Sequence, residues 1–379
     1  MSLDNPKTRA EIDLHNLAFN FRSIRGFVGE KVKILAVVKA DAYGHGAVEC
    51  SKRLETEGAD WFGVATIEEA VELRMSGIRF PILYFRGYWP GDEHLIDGYD
   101  ITPVLFDLDH AEVLDRQAQT AGRIANIHIK IDTGMGRVGV PFQDAGEFAA
   151  RFAKFRNLHV DGIMTHFASA DDMQSELTSE QMRRFADAVS IFHEKGFRPL
   201  VLDMANSPGA VAHPDSHATM IRVGGMLYGL GDDVLPSGID RPELRPVMSL
   251  RSTIAFLKTM PAGSGIGYGQ TFTTSRESVI ASVPIGYYDG YRRCLSNKAH
   301  VLVKGQRVPL VGRISMDWIT IDVTDVKDVA KGDEVLLMGS GENTVIKAEE
   351  LARICDTISY EITCGIGKRV PRVYRSKMM

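Results

Sequence analysis

The chain has 379 residues, with 44 Lys and Arg against 49 Asp and Glu, which gives a formal net charge of −5. At roughly 150 residues per domain, this length predicts two or three domains, or one large barrel with an appended domain. The small acidic excess argues against nucleic acid as a partner, because proteins that bind it usually carry a basic surplus. Hydrophobic residues make up 44% of the chain, enough for large cores and against wholesale disorder.

No segment of the sequence has the pattern of a targeting or membrane segment. The opening residues, MSLDNPKTRAEIDL, are polar and charged, so they lack the apolar centre of a signal peptide. No run approaches the roughly 18 apolar residues of a membrane span. The sequence therefore predicts a soluble, cytoplasmic protein without a membrane partner.

The cysteines are few and scattered. Cys50, Cys294, Cys355 and Cys364 form no Cys-x-x-Cys pair and lie near no histidine at metal-ligand spacing. This spacing predicts neither a metal site nor a disulfide framework.

From about residue 30 to 225, short apolar runs alternate with charged segments of helical period, which is typical of repeated βα units. We count eight runs, each predicted to be a strand: 32–38, 61–65, 82–85, 101–106, 124–131, 158–167, 200–205 and 219–223. Eight strands in about 200 residues favour a (β/α)8 barrel of the TIM type. An open, doubly wound sheet is the alternative.

The pattern changes after the Pro-bearing stretch 236–246. From Ser249 onward, short alternating strands with Gly turns predict a mainly-β domain, followed by one helix and a basic tail that we interpret as solvated surface. The predicted fold is therefore α/β, with a barrel over 1–240 and a β domain over 241–379. A first strand at about 7–14 could pair with the β domain.

Polar residues that directly follow barrel strands are candidates for a site, because barrel active sites lie at the carboxyl ends of the strands. Lys39 follows the first run in VVKADAYGHG, where Tyr43 and three further loop residues could bend around a ligand. A lysine at a strand end is usually solvated. A partly desolvated amine would instead have a lowered pKa and could form a Schiff base.

Later strand ends add further candidates. Lys130 and Arg137 belong to KIDTGMGRVGV, which is either a glycine-turn loop or the support of an arginine that binds a carboxylate or phenolate. His166 ends the sixth run, where a satisfied core histidine is the alternative interpretation. Together with Lys39, these residues would place basic side chains around one rim of the barrel.

The seventh and eighth strands carry the signals of an anion site. Asn206 and Ser207 precede Pro208 and could simply cap a short helix, but the same geometry suits an anion. Arg222 and Gly224 follow on the eighth strand, and barrels commonly bind phosphate after strands seven and eight.

In the β domain, GSGIGYGQTF places Tyr268 among four glycines. It is not a dinucleotide-binding motif, since that motif needs a strand before it and a helix after it. The segment is either a flexible turn with a surface tyrosine or a loop that delivers a phenol to a site elsewhere.

Taken together, these segments resemble the bacterial alanine racemase family, in the same order and over nearly the whole length. The segments that carry the resemblance are VVKADAYGHG, KIDTGMGRVGV, THFASAD, ANSPGA, IRVGGMLYG, GYGQTF, PIGYYDGY, GRISMDW and RVPRVY. The resemblance implies a pyridoxal phosphate enzyme with a barrel and a C-terminal β domain, acting as a homodimer with shared active sites. It implies interconversion of L-alanine and D-alanine by two-base proton transfer, supplying D-alanine for peptidoglycan.

The resemblance also implies residue roles. Lys39 would be the Schiff-base lysine and Tyr268 the opposite base, delivered with Met316 by the other subunit. Arg137 and Met316 would contact the substrate. It leaves open whether Lys130 carries a carbamate that braces Arg137. The remaining cofactor contacts would be Tyr43, His166, Asn206, Ser207, Arg222 and Gly224, and the entrance would be lined by Tyr287, Arg293 and Arg313.

Two positions depart from the family pattern. Ser315 stands where some members have a cysteine, and Lys368 stands where some have a phosphate-binding tyrosine. The sequence leaves open whether Tyr374 or Lys368 replaces its contact.

The residues are also compatible with other functions. A racemase for serine, lysine or several amino acids would differ by pocket size alone, because one methylene is worth only about 1 to 3 kcal/mol. A non-catalytic pyridoxal phosphate carrier would have no need of Tyr268 or of the β domain that carries it. A related decarboxylase is expected to have an acid where this chain has Arg222.

Overall fold

The fold is described from a computed structural model, which covers residues 7–341 and 344–375. Its N-terminal part is a closed barrel of eight parallel strands, as the sequence predicted; strands are numbered in chain order. The barrel strands are β2 (Lys33–Val37), β3 (Trp61–Val64), β4 (Ile82–Tyr84), β5 (Thr102–Leu105), β6 (Ala125–Asp132), β8 (Leu158–Met164), β9 (Val201–Asp203) and β10 (Met220–Val223). Pairing runs β5-β4-β3-β2-β10-β9-β8-β6, and β5 pairs with β6 to close the ring, with the short β7 (Val140–Pro141) beside β6.

Helices follow the strands and cover the outside of the barrel. Their amphipathic sequences bury one face against the strands, as in Leu108–Thr120, where Ala111, Leu114 and Ala118 are buried. The helices of the first part are Leu14–Val28, Ala47–Glu57, Ile67–Met75, Glu93–Gly98, Leu108–Thr120, Ala145–Phe152, Leu177–Glu194 and Ser207–Ala212.

The C-terminal part consists mainly of antiparallel strands. They are β11 (Met248–Thr253), β12 (Phe256–Met260), β13 (Gly265–Ile266), β14 (Phe272–Thr273), β15 (Ser278–Val283), β16 (His300–Val303), β17 (Gln306–Pro309), β18 (Ile319–Asp322), β19 (Glu334–Ser340), β20 (Val345–Ile346) and β21 (Arg372–Arg375). Two short helices, Ala348–Ile354 and Ser359–Cys364, lie between β20 and β21.

Both ends of the described chain contribute to the larger sheet of this part. The first strand, β1 (Arg9–Asp13), pairs antiparallel with β11 and parallel with β21. The interpretation of the C-terminal tail as solvated surface is therefore wrong. Arg372 donates to four backbone carbonyls, those of Gly44, Gly367, Val370 and Ile366, so it ties the tail to the barrel mouth.

The expectation of no disulfide is also wrong. Cys294 and Cys355 are paired, with Cα atoms 5.4 Å apart, although 61 residues separate them in sequence. Spacing rules detect short-range cysteine motifs, and this pair is created only when the fold brings a turn and a helix end together. Cys50 and Cys364 are unpaired thiols in the described chain.

No helix among the residues with described coordinates is long and apolar enough to cross a membrane.

Candidate active site

The carboxyl ends of the barrel strands surround a cavity of about 430 Å³. Most of the predicted site residues line this one space, so the ends of separate strands converge here. The lining includes Lys39, Tyr43, Lys130, Arg137, His166, Asn206, Ser207, Arg222 and Gly224. Tyr268 and Met316 do not line it.

Lys39 comes two residues after the end of β2 and lines the cavity. Burial lowers the pKa of this amine, and the nearby guanidinium groups of Arg137 and Arg222 lower it further. A lysine with a lowered pKa has a larger neutral fraction, and only the neutral amine is nucleophilic.

The residues after Lys39 form one left-handed turn. Ala40, Asp41, Ala42 and Tyr43 all have φ between 53° and 55°, a conformation that costs L-residues about 1 to 2 kcal/mol each. Side-chain and backbone bonds hold the turn: Asp41 Oδ1 accepts from the Ala47 amide at 2.7 Å, and the Ala42 amide donates to Val38 O at 2.8 Å. The strained turn carries Tyr43 back to the cavity.

Polar donors gather at the end of the cavity formed by β9 and β10. Asn206 caps the helix Ser207–Ala212 by accepting from the Gly209 amide at 3.0 Å, and Ser207 Oγ accepts from the Gly224 amide at 3.2 Å. A Cβ on Gly224 would collide with the Tyr43 hydroxyl, so glycine is what allows this close approach.

Tyr360 also belongs to this cluster, and the sequence reasoning missed it. It lines the cavity, packs edge-on against Tyr43 with ring centroids 5.2 Å apart, and lies against Gly225, where a Cβ would collide with its ring. Burial raises the pKa of both phenols, so each remains a neutral donor.

The cavity therefore contains a second tyrosine, but not at the position that the resemblance implied. Lys368 does not line the cavity, and Tyr374 packs against Gly46 instead. Tyr360, eight residues before Lys368, provides the phenol at the cavity.

Arg222 is held rigidly at the base of the cavity. It is 4% exposed and forms an ion pair with Asp203, which is 0% exposed. Its Nη2 donates to Thr165 O at 2.9 Å and to His166 Nδ1 at 3.0 Å. Because a guanidinium can only donate, His166 Nδ1 must be the accepting nitrogen, so its imidazole is neutral with the proton on Nε2. Burial and the charge of Arg222 both lower the pKa of His166 well below its usual range, in agreement with that tautomer.

The cavity carries an excess of positive charge. Burial, Arg222 and Arg137 lower the pKa of Lys130 to about 8. Arg137 lies on an exposed loop shaped by Asp132, whose Oδ1 accepts from the amides of Gly134 and Met135 at 2.9 Å each. The carboxylates of the lining are Asp171 and Asp233, and Asp233 is already bonded to Ser359. Such a space suits a ligand with several negative charges.

Tyr268 and Met316 lie elsewhere on the same chain. Tyr268 is 70% exposed and borders a second surface pocket with Arg313, Ser315 and Trp318. Ser315, which borders the same pocket, belongs to the loop of Met316, and this loop is bonded to the next tyrosines because the Tyr287 amide donates to Ser315 O and the Tyr288 amide to Met316 O. These residues form one exposed group, which we call the tyrosine surface: Tyr268, Tyr287, Tyr288, Met316 and Trp318.

Comparison with known proteins matches both parts of the chain to one family. The family model for the N-terminal domain of alanine racemase matches residues 12–232, and the model for its C-terminal domain matches residues 247–374. The alanine racemase of Geobacter sulfurreducens is 44% identical over 378 residues, covering 98% of each chain.

Solved structures agree. Alanine racemase from Clostridium difficile 630 superposes with a TM-score of 0.91 at 38% identity, covering 99% of this chain and 97% of that one. Alanine racemase from Bartonella henselae, solved with covalently bound pyridoxal phosphate, superposes with a TM-score of 0.87 at 29% identity, covering 98% and 100% of the two chains. With both of its parts matched in order, the chain belongs to the alanine racemase family.

Proposed function

We propose that this chain is a pyridoxal phosphate-dependent alanine racemase, which interconverts L-alanine and D-alanine and so supplies D-alanine for cell-wall peptidoglycan. The observation that carries the proposal is the placement of a lysine of lowered pKa and a guanidinium around one cation-lined cavity. We further propose that it works in the cytoplasm as a homodimer, with a barrel domain over 1–240 and a β domain over 241–379.

The donor set of the cavity fits the proposed cofactor. The neutral phenols of Tyr43 and Tyr360, the Ser207 hydroxyl and the end of the Asn206-capped helix would hold a phosphate. Lys39 would hold the cofactor covalently. Arg222 would donate to its ring nitrogen, with His166 beside the ring.

A cofactor is needed because side chains alone cannot remove the Cα proton of an amino acid fast enough. General acid and base catalysis contributes about 10²- to 10⁴-fold, or roughly 3 to 5.5 kcal/mol, whereas enzymes supply roughly 8 to 23 kcal/mol. Bound pyridoxal phosphate supplies the electron sink that makes up the difference.

Inversion of a stereocentre requires a proton acceptor on one face and a proton donor on the other. On one face, Lys39 Nζ would take or return the Cα proton, and its lowered pKa suits it to act as a base near neutral pH. On the other face we propose the hydroxyl of the partner subunit's Tyr268.

The substrate carboxylate needs a cation that is not already paired. Arg137 would provide it, because its planar guanidinium can bind a carboxylate through two parallel hydrogen bonds. Met316 of the partner subunit would complete the pocket around the small side chain.

Dimerisation explains why a catalytic phenol would be exposed on the single chain. The tyrosine surface presents five large side chains, each at least 42% exposed. Exposed apolar groups that cluster in this way mark an interaction surface. A second copy that covers it would bring Tyr268 to the cavity of its partner.

The direct test combines a spectrum with a substrate screen. The purified chain should show the visible absorbance of bound pyridoxal phosphate and convert L-alanine to D-alanine faster than it converts L-serine or L-lysine. Lys39→Ala should lose the visible band and at least about 10³-fold in rate. A colourless wild-type protein, or a faster reaction with another amino acid, would contradict the proposal.

A further inference from the structure

Asp203 is a buried carboxylate at the base of the cavity. It ends β9 and is 0% exposed. The sequence places it within the apolar run LVLDMA, where no motif marks it as part of a site. An unpaired carboxylate in such a position would strongly destabilise the fold, so Asp203 must have a partner that compensates its charge.

Its main partner is Arg222 on the adjacent strand β10. Arg222 Nη1 donates to Asp203 Oδ1 and, at 3.5 Å, to Asp203 O, while Nη2 donates to Thr165 O and His166 Nδ1. Within residues 7–341 and 344–375 no protein acceptor is assigned to Arg222 Nε. The contacts therefore fix the plane of the guanidinium and leave one donor for a ligand in the cavity.

The charges around Asp203 come from two strands, the adjacent β10 and the more distant β6. Arg222 faces it from β10, and His128 and Lys130 face it from β6. The pKa of the Asp203 carboxyl is raised from its ordinary value, because burial outweighs the lowering by these three basic groups. Its second oxygen, Oδ2, is buried without a partner among the described residues. The carboxylate therefore depends on Arg222 for its compensation, and Arg222 depends on Asp203 in turn.

We propose that Asp203 is a positioning residue that fixes the guanidinium of Arg222 and offsets its positive charge where Arg222 meets the ring nitrogen of the bound cofactor. This inference rests on the proposed function. Asp203 does not line the cavity, so it acts on the ligand only through Arg222.

The substitution Asp203→Asn separates charge from position. Asparagine keeps an acceptor for Arg222 Nη1 and nearly the same shape, but it removes the negative charge. The full charge of Arg222 would then act on the cofactor and on Lys39. A positive charge disfavours protonated, cationic groups, so their pKa values should fall.

The readout is the pH titration of the visible band of the holoenzyme without substrate. For Asp203→Asn we expect the midpoint to move down by about one pH unit or more relative to wild type. This is the size of shift expected from one uncompensated charge close to the titrating group. Asp161→Asn is the matched control, because Asp161 is a carboxylate on β8 that lies 3.7 Å from His128 and bonds to no atom of Arg222. It should leave the midpoint unchanged.

A second variant tests the same charge. Asp203→Glu keeps the carboxylate, so the midpoint of this variant should stay near the wild-type value. The Glu variant tests the inference even if the Asn variant does not fold. A folded Asp203→Asn protein with an unchanged midpoint, or a Glu variant that shifts as Asn does, would overturn the inference while leaving the racemase proposal intact. A wild-type protein that binds no pyridoxal phosphate would overturn both.

Discussion

Arg222 cannot accept a proton, and this single property shapes the chemistry that we propose. As a pure donor it disfavours a protonated ring nitrogen and so limits how far electrons are withdrawn into the cofactor. A weaker sink suits return of the proton to Cα over protonation of the cofactor, which would give transamination.

Replacing this arginine should therefore change the type of reaction. For Arg222→Glu we expect the ratio of transamination to racemisation to rise by about tenfold or more, equivalent to about 1.4 kcal/mol between the two barriers. Pyruvate formed from alanine, measured against D-alanine in the same sample, gives the ratio. An unchanged ratio would contradict the role given to Arg222.

Single residues also mark the limits of sequence reasoning. Lys39, His166 and Arg222 could be predicted because they end apolar runs that the barrel brings together. Tyr360 and Asp203 could not be predicted in the same way. Tyr360 reaches the cavity from a helix of the C-terminal part, and Asp203 lies within a run that reads as buried strand.

Among the elements, the left-handed turn after β2 was not predicted. Its residues are alanine, aspartate and tyrosine, and local sequence favours left-handed backbone only for Gly, Asn and Asp. Tertiary contacts must impose it: the ring of buried His45 lies 4.6 Å from that of Tyr228, and its Nδ1 donates toward Ala42 O at 2.9 Å.

Glycine should relieve the turn. Ala40 is exposed with φ 54°, so Ala40→Gly should leave the free energy of unfolding unchanged or raise it by up to about 1 kcal/mol. Ala150→Gly is the control, since Ala150 is exposed in the ordinary helix Ala145–Phe152 and should lose about 1 kcal/mol. Urea unfolding would measure the free energy of unfolding of both variants. Equal losses of stability in the two variants would contradict the strain that we assign to the turn.

His45 gives this element a pH dependence. Burial lowers the pKa of His45 to about 4 from 6.5. The unfolded chain therefore binds this proton first, so stability should fall as pH drops from 6.5 toward 4, by about 3 kcal/mol in total.

A neutral replacement should remove that contribution. Between pH 7 and 4.5, His45→Gln should lose about 2 to 3 kcal/mol less unfolding free energy than wild type does. Exposed His94→Gln should follow wild type. Parallel pH curves for wild type and His45→Gln would show that His45 is not the titrating group.

The eight barrel strands were predictable because each is a short apolar run bounded by charged segments. The extra strand β21 was not, because its sequence, RVYR, is basic and becomes a strand only through pairing with β1. The disulfide between Cys294 and Cys355 was missed for the same reason, because cysteine spacing does not indicate contacts between distant segments.

At the scale of the whole molecule, one chain holds two separated halves of a proposed site. The cavity lies at the barrel mouth, and the tyrosine surface lies on the β domain. The family resemblance predicted this separation, whereas composition and periodicity could not, because neither describes a second copy of the chain.

The central claim is that Lys39 of one subunit and the partner subunit's Tyr268 serve a single site. The most direct test mixes two inactive variants, Lys39→Ala and Tyr268→Ala, under conditions that exchange subunits. In a mixed dimer one site carries both substitutions and the other carries neither. With random pairing, about a quarter of the wild-type activity should therefore return. A mixture that forms mixed dimers and stays inactive would contradict the account.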